Sequence, residues 1–139
     1  MYLQGQEILV VVDDPERRER VARVLAEEGF AVTAAAEGLA ALRAVGRQHY
    51  ALILTAARLP GSLDGKTTVR QARARQPWLK ALYIEDGIGR RDRGNPDADD
   101  FITAPFERHE LIGCTFELLH RGTEAHDLVR RARTELRAS

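Results

Sequence analysis

Five short apolar runs punctuate the chain, and between them the apolar residues recur at helical spacing. The first run, Ile8-Leu9-Val10-Val11-Val12, is unbroken, rich in β-branched residues and stopped by Asp13-Asp14-Pro15. Unbroken apolarity predicts a strand covered on both faces. From Pro15 the period changes: Val21, Val24 and Leu25 line one side of a helix, with Pro15 suited to its first turn and Gly29 to its end. The cycle then repeats. A strand at Ala31–Ala34 precedes a helix from about Gly38 to Arg47 with Leu39, Leu42 and Val45 inward, and a strand follows at Tyr50–Thr55. A helix from about Asp64 to Gln76 turns Val69 and Ala72 inward, ahead of strands at Ala81–Ile84 and near Asp100–Thr103 and a helix from about Glu107 to His120. Strands alternating with helices predict an α/β fold with a parallel sheet covered on both sides, right-handed crossovers, and functional loops at the carboxyl ends of the strands.

Two stretches break the rhythm. Between Asp86 and Asp97 the segment GIGRRDRGNP has three glycines, a proline and almost no apolar face, which predicts a shortened or absent fourth helix. After Gly122, Leu128, Val129, Ala132 and Leu136 return to helical spacing, predicting an amphipathic C-terminal extension over 122–139 appended to a single domain over 1–121.

Composition narrows the function classes. Twenty-one basic residues against twenty-one acidic ones leave no formal net charge, which disfavours a dedicated nucleic-acid binder, and 44% hydrophobic positions exclude a disordered tail. The lone Cys114 has no partner for an intramolecular disulfide and no neighbouring soft ligands for zinc. With neither a signal-peptide pattern at the start nor an apolar run near the ~18–20 residues of a membrane span, the expected location is cytoplasmic. His49, His109, His120 and His126 are far apart in the chain and form no ligand or acid–base set, so each is expected at the surface.

Four local patterns, in this order and spacing, carry a resemblance. They are Val12-Asp13-Asp14 closing the first strand, Glu37-Gly38-Leu39-Ala40-Ala41-Leu42 opening the second helix, Leu59-Pro60-Gly61 with Asp64-Gly65 after the third strand, and the run Ala98 to Phe106. Over roughly residues 7–121 the chain resembles the receiver domain of bacterial two-component response regulators. The resemblance implies a doubly wound five-stranded parallel sheet of order 2-1-3-4-5, flavodoxin- and CheY-like, with a cis peptide before Pro105. It also implies a strand-end site in which an acidic pair and a phosphoacceptor aspartate bind Mg²⁺, while a Thr or Ser and a Lys contact the phosphoryl group.

Placed on this sequence, the acidic pair is Asp13 and Asp14, but the acceptor position falls at Ala56, the hydroxyl position at Glu85 and the Lys position at Ala104. A methyl group offers neither a nucleophile nor a metal oxygen, and Glu85 brings negative charge where a phosphate would need the opposite. The chain therefore reads as a degenerate pseudo-receiver, not an enzyme, that works by binding proteins in a phosphorelay network. No resident cofactor is expected beyond a weakly held Mg²⁺ at Asp13 and Asp14, with Glu85 as a third carboxylate. Arg58 is a candidate cation for the same pocket, and Thr55 and Asp64 are the alternative acceptors if the relay chemistry survives.

The resemblance puts the partner surface on the segment after the fourth strand, the fifth strand and the helix after it, with Phe101, Thr103, Arg108 and Glu110 as candidate contacts. A histidine kinase, a phosphotransfer protein or a second copy of the chain is the expected partner. No membrane partner is expected. Nucleic acid is the rival, through Arg130, Arg131, Arg133 and Arg137 of the tail. Trp78 is expected to cover an edge of the core.

Overall fold

The computed structural model describes residues 6–86 and 99–120. The expected 122–139 extension and the shortened fourth helix therefore lie outside the described residues. The chain alternates β1 (Glu7–Val11), α1 (Pro15–Glu27), β2 (Ala31–Ala35), α2 (Gly38–Val45), β3 (Leu52–Ala56), α3 (Gly65–Arg75), β4 (Lys80–Asp86) and β5 (Asp100–Ala104). A further helix, α4, spans 108–120. All strands are parallel, in the order β2-β1-β3-β4-β5, as the resemblance implies.

The sheet is buried on both faces because residues 8–11 of β1, 52–54 of β3 and 81–84 of β4 are unbroken apolar runs. Even-numbered residues of β1, including Ile8 and Val10, join Leu54, Leu82, Ile84 and Ile102 under Val21 and Leu25 of α1 and Leu111 and Leu118 of α4. Odd-numbered ones, Leu9 and Val11, join Ile53, Ala81 and Tyr83 under Ala41 and Val45 of α2 and Val69 and Ala72 of α3. Each strand thus feeds two cores, which is why its sequence shows no alternation.

The expected inward face of α2 holds for Val45 and in part for Leu42, which is half-buried against the same core, but not for Leu39. The buried residues of the helix are Gly38, Ala41 and Val45, while Leu39 is 47% exposed. The reason is the close approach of the neighbouring helix: a β-carbon on Gly38 would collide with the Thr68 hydroxyl of α3 and come within 2.8 Å of Leu63 Cβ. Small residues must face that contact, and the larger leucine is displaced outward.

At the amino end of the sheet, the buried Gln76 ties three segments together. Its Oε1 accepts from the Tyr50 backbone N–H at 2.9 Å, and its Nε2 donates to the carbonyls of Val45 (3.0 Å) and Gln48 (2.8 Å). Trp78 does less covering than expected. It is 49% exposed, donating from Nε1 to the Tyr50 carbonyl at 3.2 Å, with His49 edge-on at 5.0 Å.

Candidate functional site

In a doubly wound sheet the crevice opens where strand order reverses, here beyond the carboxyl ends of β1 and β3. Asp13 and Asp14 leave β1 at this point, and β3 ends on Ala56, which is 9% exposed. Glu85 and Asp86 close β4, and Ala104 closes β5. The expected site residues are therefore gathered at one edge of the sheet. The Ala104–Pro105 bond that follows β5 is cis.

Asp14 is occupied by the backbone. It is the N-cap of α1, with Oδ2 accepting from the Arg17 N–H at 3.4 Å. Ala56 presents only a methyl group, and its carbonyl accepts from the Thr55 hydroxyl at 2.9 Å. Among the described residues, no three His, Cys, Asp or Glu side chains are grouped to hold a metal ion. The expected trio of Asp13, Asp14 and Glu85 is thus not assembled, because the Asp14 carboxylate serves the helix and Glu85 is largely buried on β4. Mg²⁺ needs several hard oxygens in near-octahedral array, and this donor set does not fit it.

The arginine near the pocket also differs from expectation. Arg58 is exposed and pairs with no described residue. The cations come from the first turn of α1 instead. Arg17 Nη1 lies 3.4 Å from Asp86 Oδ1, and Arg18 Nη1 donates to the carbonyls of Val12 and Asp13 at 3.0 and 3.2 Å.

The two alternative acceptors have structural employment. Thr55 is fully buried in β3. Asp64 caps α3 through a 2.8 Å bond from the Thr67 N–H to Oδ1, and that backbone donor, with the Thr67 side chain, holds its carboxyl below the ordinary 3.8. Gly65, the first residue of α3, donates to the Ala57 carbonyl at 3.1 Å and presses so close to the Ala56 carbonyl that a β-carbon there would overlap it. This contact holds the start of α3 against the end of β3.

The expected partner surface divides. Thr103 is exposed on the edge strand β5, and Phe101 is half-buried, tilted against Tyr83 at 5.8 Å. Arg108 is committed within the fold: its two terminal nitrogens reach Glu27 and Glu28 at 3.2 Å each, tying α4 to the end of α1. The bonds to Glu28 and Glu27 push its guanidinium pKa further up. Glu110 accepts from the Glu107 N–H at 3.3 Å, one arm of a capping box at the start of α4. Both side chains are nonetheless exposed at the surface. Their partners within the fold, an acidic pair eighty residues away and the start of a helix, are out of view in the local sequence.

The acidic residues do not form the single cluster that their positions along the chain suggest. Asp99 lies at the opposite, amino-terminal side of β5, where Oδ2 accepts from Arg73 at 2.6 Å and from the Ala81 N–H at 2.7 Å. Arg73 also donates from Nε to the Leu79 carbonyl at 2.9 Å. No helix among the described residues is long and apolar enough to cross a membrane.

The family model described as the response regulator receiver domain matches residues 8–115. Among curated proteins the chain is 34% identical to the transcriptional regulatory protein TcrA of Mycobacterium tuberculosis, over 99% of this chain and 61% of that protein. It is 37% identical to the transcriptional activator protein PfeR of Pseudomonas aeruginosa, over 82% of this chain and 38% of that one. The chain thus spans well under two thirds of these relatives. Among solved structures it superposes on the receiver domain of the sensor histidine kinase PA1611 from Pseudomonas aeruginosa PAO1 with a TM-score of 0.74 and 32% identity, covering 84% of this chain and 98% of that one. That domain carries a magnesium ion coordinated in its active-site cleft.

Proposed function

The chain belongs to the response regulator receiver family, and from that premise we propose that it is a phosphorylation-independent receiver that signals by binding a protein partner in a two-component network. The observation that carries this reading is Ala56. It ends β3 at the switch point of the sheet, where the family resemblance puts the acceptor carboxylate, and a methyl group cannot attack a phosphoryl donor. Glu85 and Ala104 support it, since neither supplies a hydroxyl or a cation to the same pocket. The Thr55 and Asp64 alternatives are disfavoured by their burial and capping roles.

The partner in this reading is a histidine kinase, a phosphotransfer protein or another copy of the chain, met at β5 and the start of α4 through Phe101, Thr103, Arg108 and Glu110. Amide NMR spectra of the full chain, recorded with Mg²⁺ alone and then with a small phosphodonor added, test it. The spectra stay superimposable if the pocket is inert, whereas new shifts at the ends of β3, β4 and β5 contradict the reading. A second reading, nucleic-acid binding through the tail, draws on the relatives TcrA, a transcriptional regulatory protein, and PfeR, a transcriptional activator protein. It predicts steeply salt-dependent binding that disappears when residues 122–139 are removed.

A further inference from the structure

Four acidic residues stand at the carboxyl ends of two strands, Asp13 and Asp14 after β1 and Glu85 and Asp86 on β4, in a pocket whose donor set does not suit a divalent cation. The first turn of α1 brings positive charge to the same place. Arg17 reaches Asp86 at 3.4 Å, and because β3 lies between β1 and β4 in the sheet, this bridge crosses the end of the strand that carries Ala56. Arg18 folds back over the helix start and occupies the Val12 and Asp13 carbonyls. Two further oxygens nearby accept hydrogen bonds, one on the Asp14 carboxylate from the Arg17 N–H and the Ala56 carbonyl from the Thr55 hydroxyl.

We infer that the strand-end pocket is metal-independent, with Arg17 and Arg18 of α1 standing where a divalent cation would otherwise balance the acidic residues. The inference deepens the proposed function and rests on it in one respect, that Ala56 contributes no carboxylate. Asp86 is 83% exposed on its side chain, so the bridge adds little to stability. Its effect is to compete: a cation approaching Asp86 meets the Arg17 guanidinium already there. Replacing Mg²⁺ by fixed side chains also removes the dependence of the pocket on metal concentration, which suits a receiver held in one state.

Titrating the full chain with Mn²⁺ and reading paramagnetic broadening of the amide signals of residues 12–14 and 85–86 tests this directly. The wild type is expected to show no selective broadening there. Ala56→Asp restores the missing oxygen ligand, and adding Arg17→Ala to it removes the competing charge, so the double variant should bind Mn²⁺ about fivefold or more tightly than Ala56→Asp alone. Arg17→Gln serves in the same background should the alanine variant fold poorly. Selective broadening in the wild type, or equal affinity of the single and double variants, overturns the inference. The titration contains no phosphodonor, so metal binding without a phosphoryl adduct would overturn this inference alone. A phosphoryl adduct in the separate phosphodonor experiment would overturn the proposed function instead.

Discussion

Asp64 shows how a residue that looks chemical can be structural. Its carboxylate accepts the Thr67 N–H at the start of α3, and its pKa lies below 3.8 for that reason. A depressed folded pKa stabilises the fold above the unfolded value and loses that contribution as the pH falls through the folded one. Asp64→Ala should therefore lower the unfolding free energy by about 1 kcal/mol at neutral pH, with the gap to wild type narrowing on acidification below 3.8. Urea melts across that range measure both. Gln76 is the stronger case. Gln76→Leu keeps the bulk but strands buried Tyr50 and Val45 backbone groups, and should cost about 2–3 kcal/mol in the same melts. Neither role was fully legible in the sequence. Asp64 is recognisable as a cap because it precedes a helical period, whereas the partners of Gln76 are 26 to 31 residues away and leave no local signal. The same distance effect misdirected attention to Arg58, two positions beyond Ala56, when Arg17 and Arg18 are the cations that the fold delivers.

At the scale of elements, the strands and helices follow from periodicity because the central strands carry unbroken apolar runs and α1, α2 and α3 open on a cap, proline or glycine. What periodicity could not decide was which side of α2 faces in. Leu39, Leu42 and Val45 make the more hydrophobic stripe, but the close packing on α3 selects Gly38 and Ala41 beside Val45 and leaves Leu39 outside. Helix contacts made by small residues are invisible to a rule that weighs side chains by size. The start of α3 offers a test of such close packing. Gly65→Ala should gain up to about 1 kcal/mol from helix propensity but lose more from overlap with the Ala56 carbonyl, for a net destabilisation of about 1–2 kcal/mol. A net gain in a thermal or urea melt would show that α3 is free to shift. Arg108 marks the opposite limit. Its bridges to Glu27 and Glu28 are surface pairs open to solvent, so Arg108→Ala should leave the urea midpoint unchanged within error at high salt.

For the molecule as a whole, zero net charge is an average over separated groups. Asp13, Asp14, Glu85 and Asp86 stand at the carboxyl edge of the sheet beside Arg17 and Arg18, while Asp99 and Arg73 pair at the other. Opposite charges thus meet at both ends while the carboxyl edge keeps an acidic excess, which a count along the chain could not reveal. The receiver architecture was legible because motif order and element rhythm agree. The chemical state of its pocket follows from single residues, and Ala56 carries the most weight. The most direct test is the intact mass of the full chain after incubation with a small phosphodonor and Mg²⁺, beside an Ala56→Asp variant. The account predicts an unmodified wild-type mass at every time point. A stable added phosphoryl group on the wild type would contradict it.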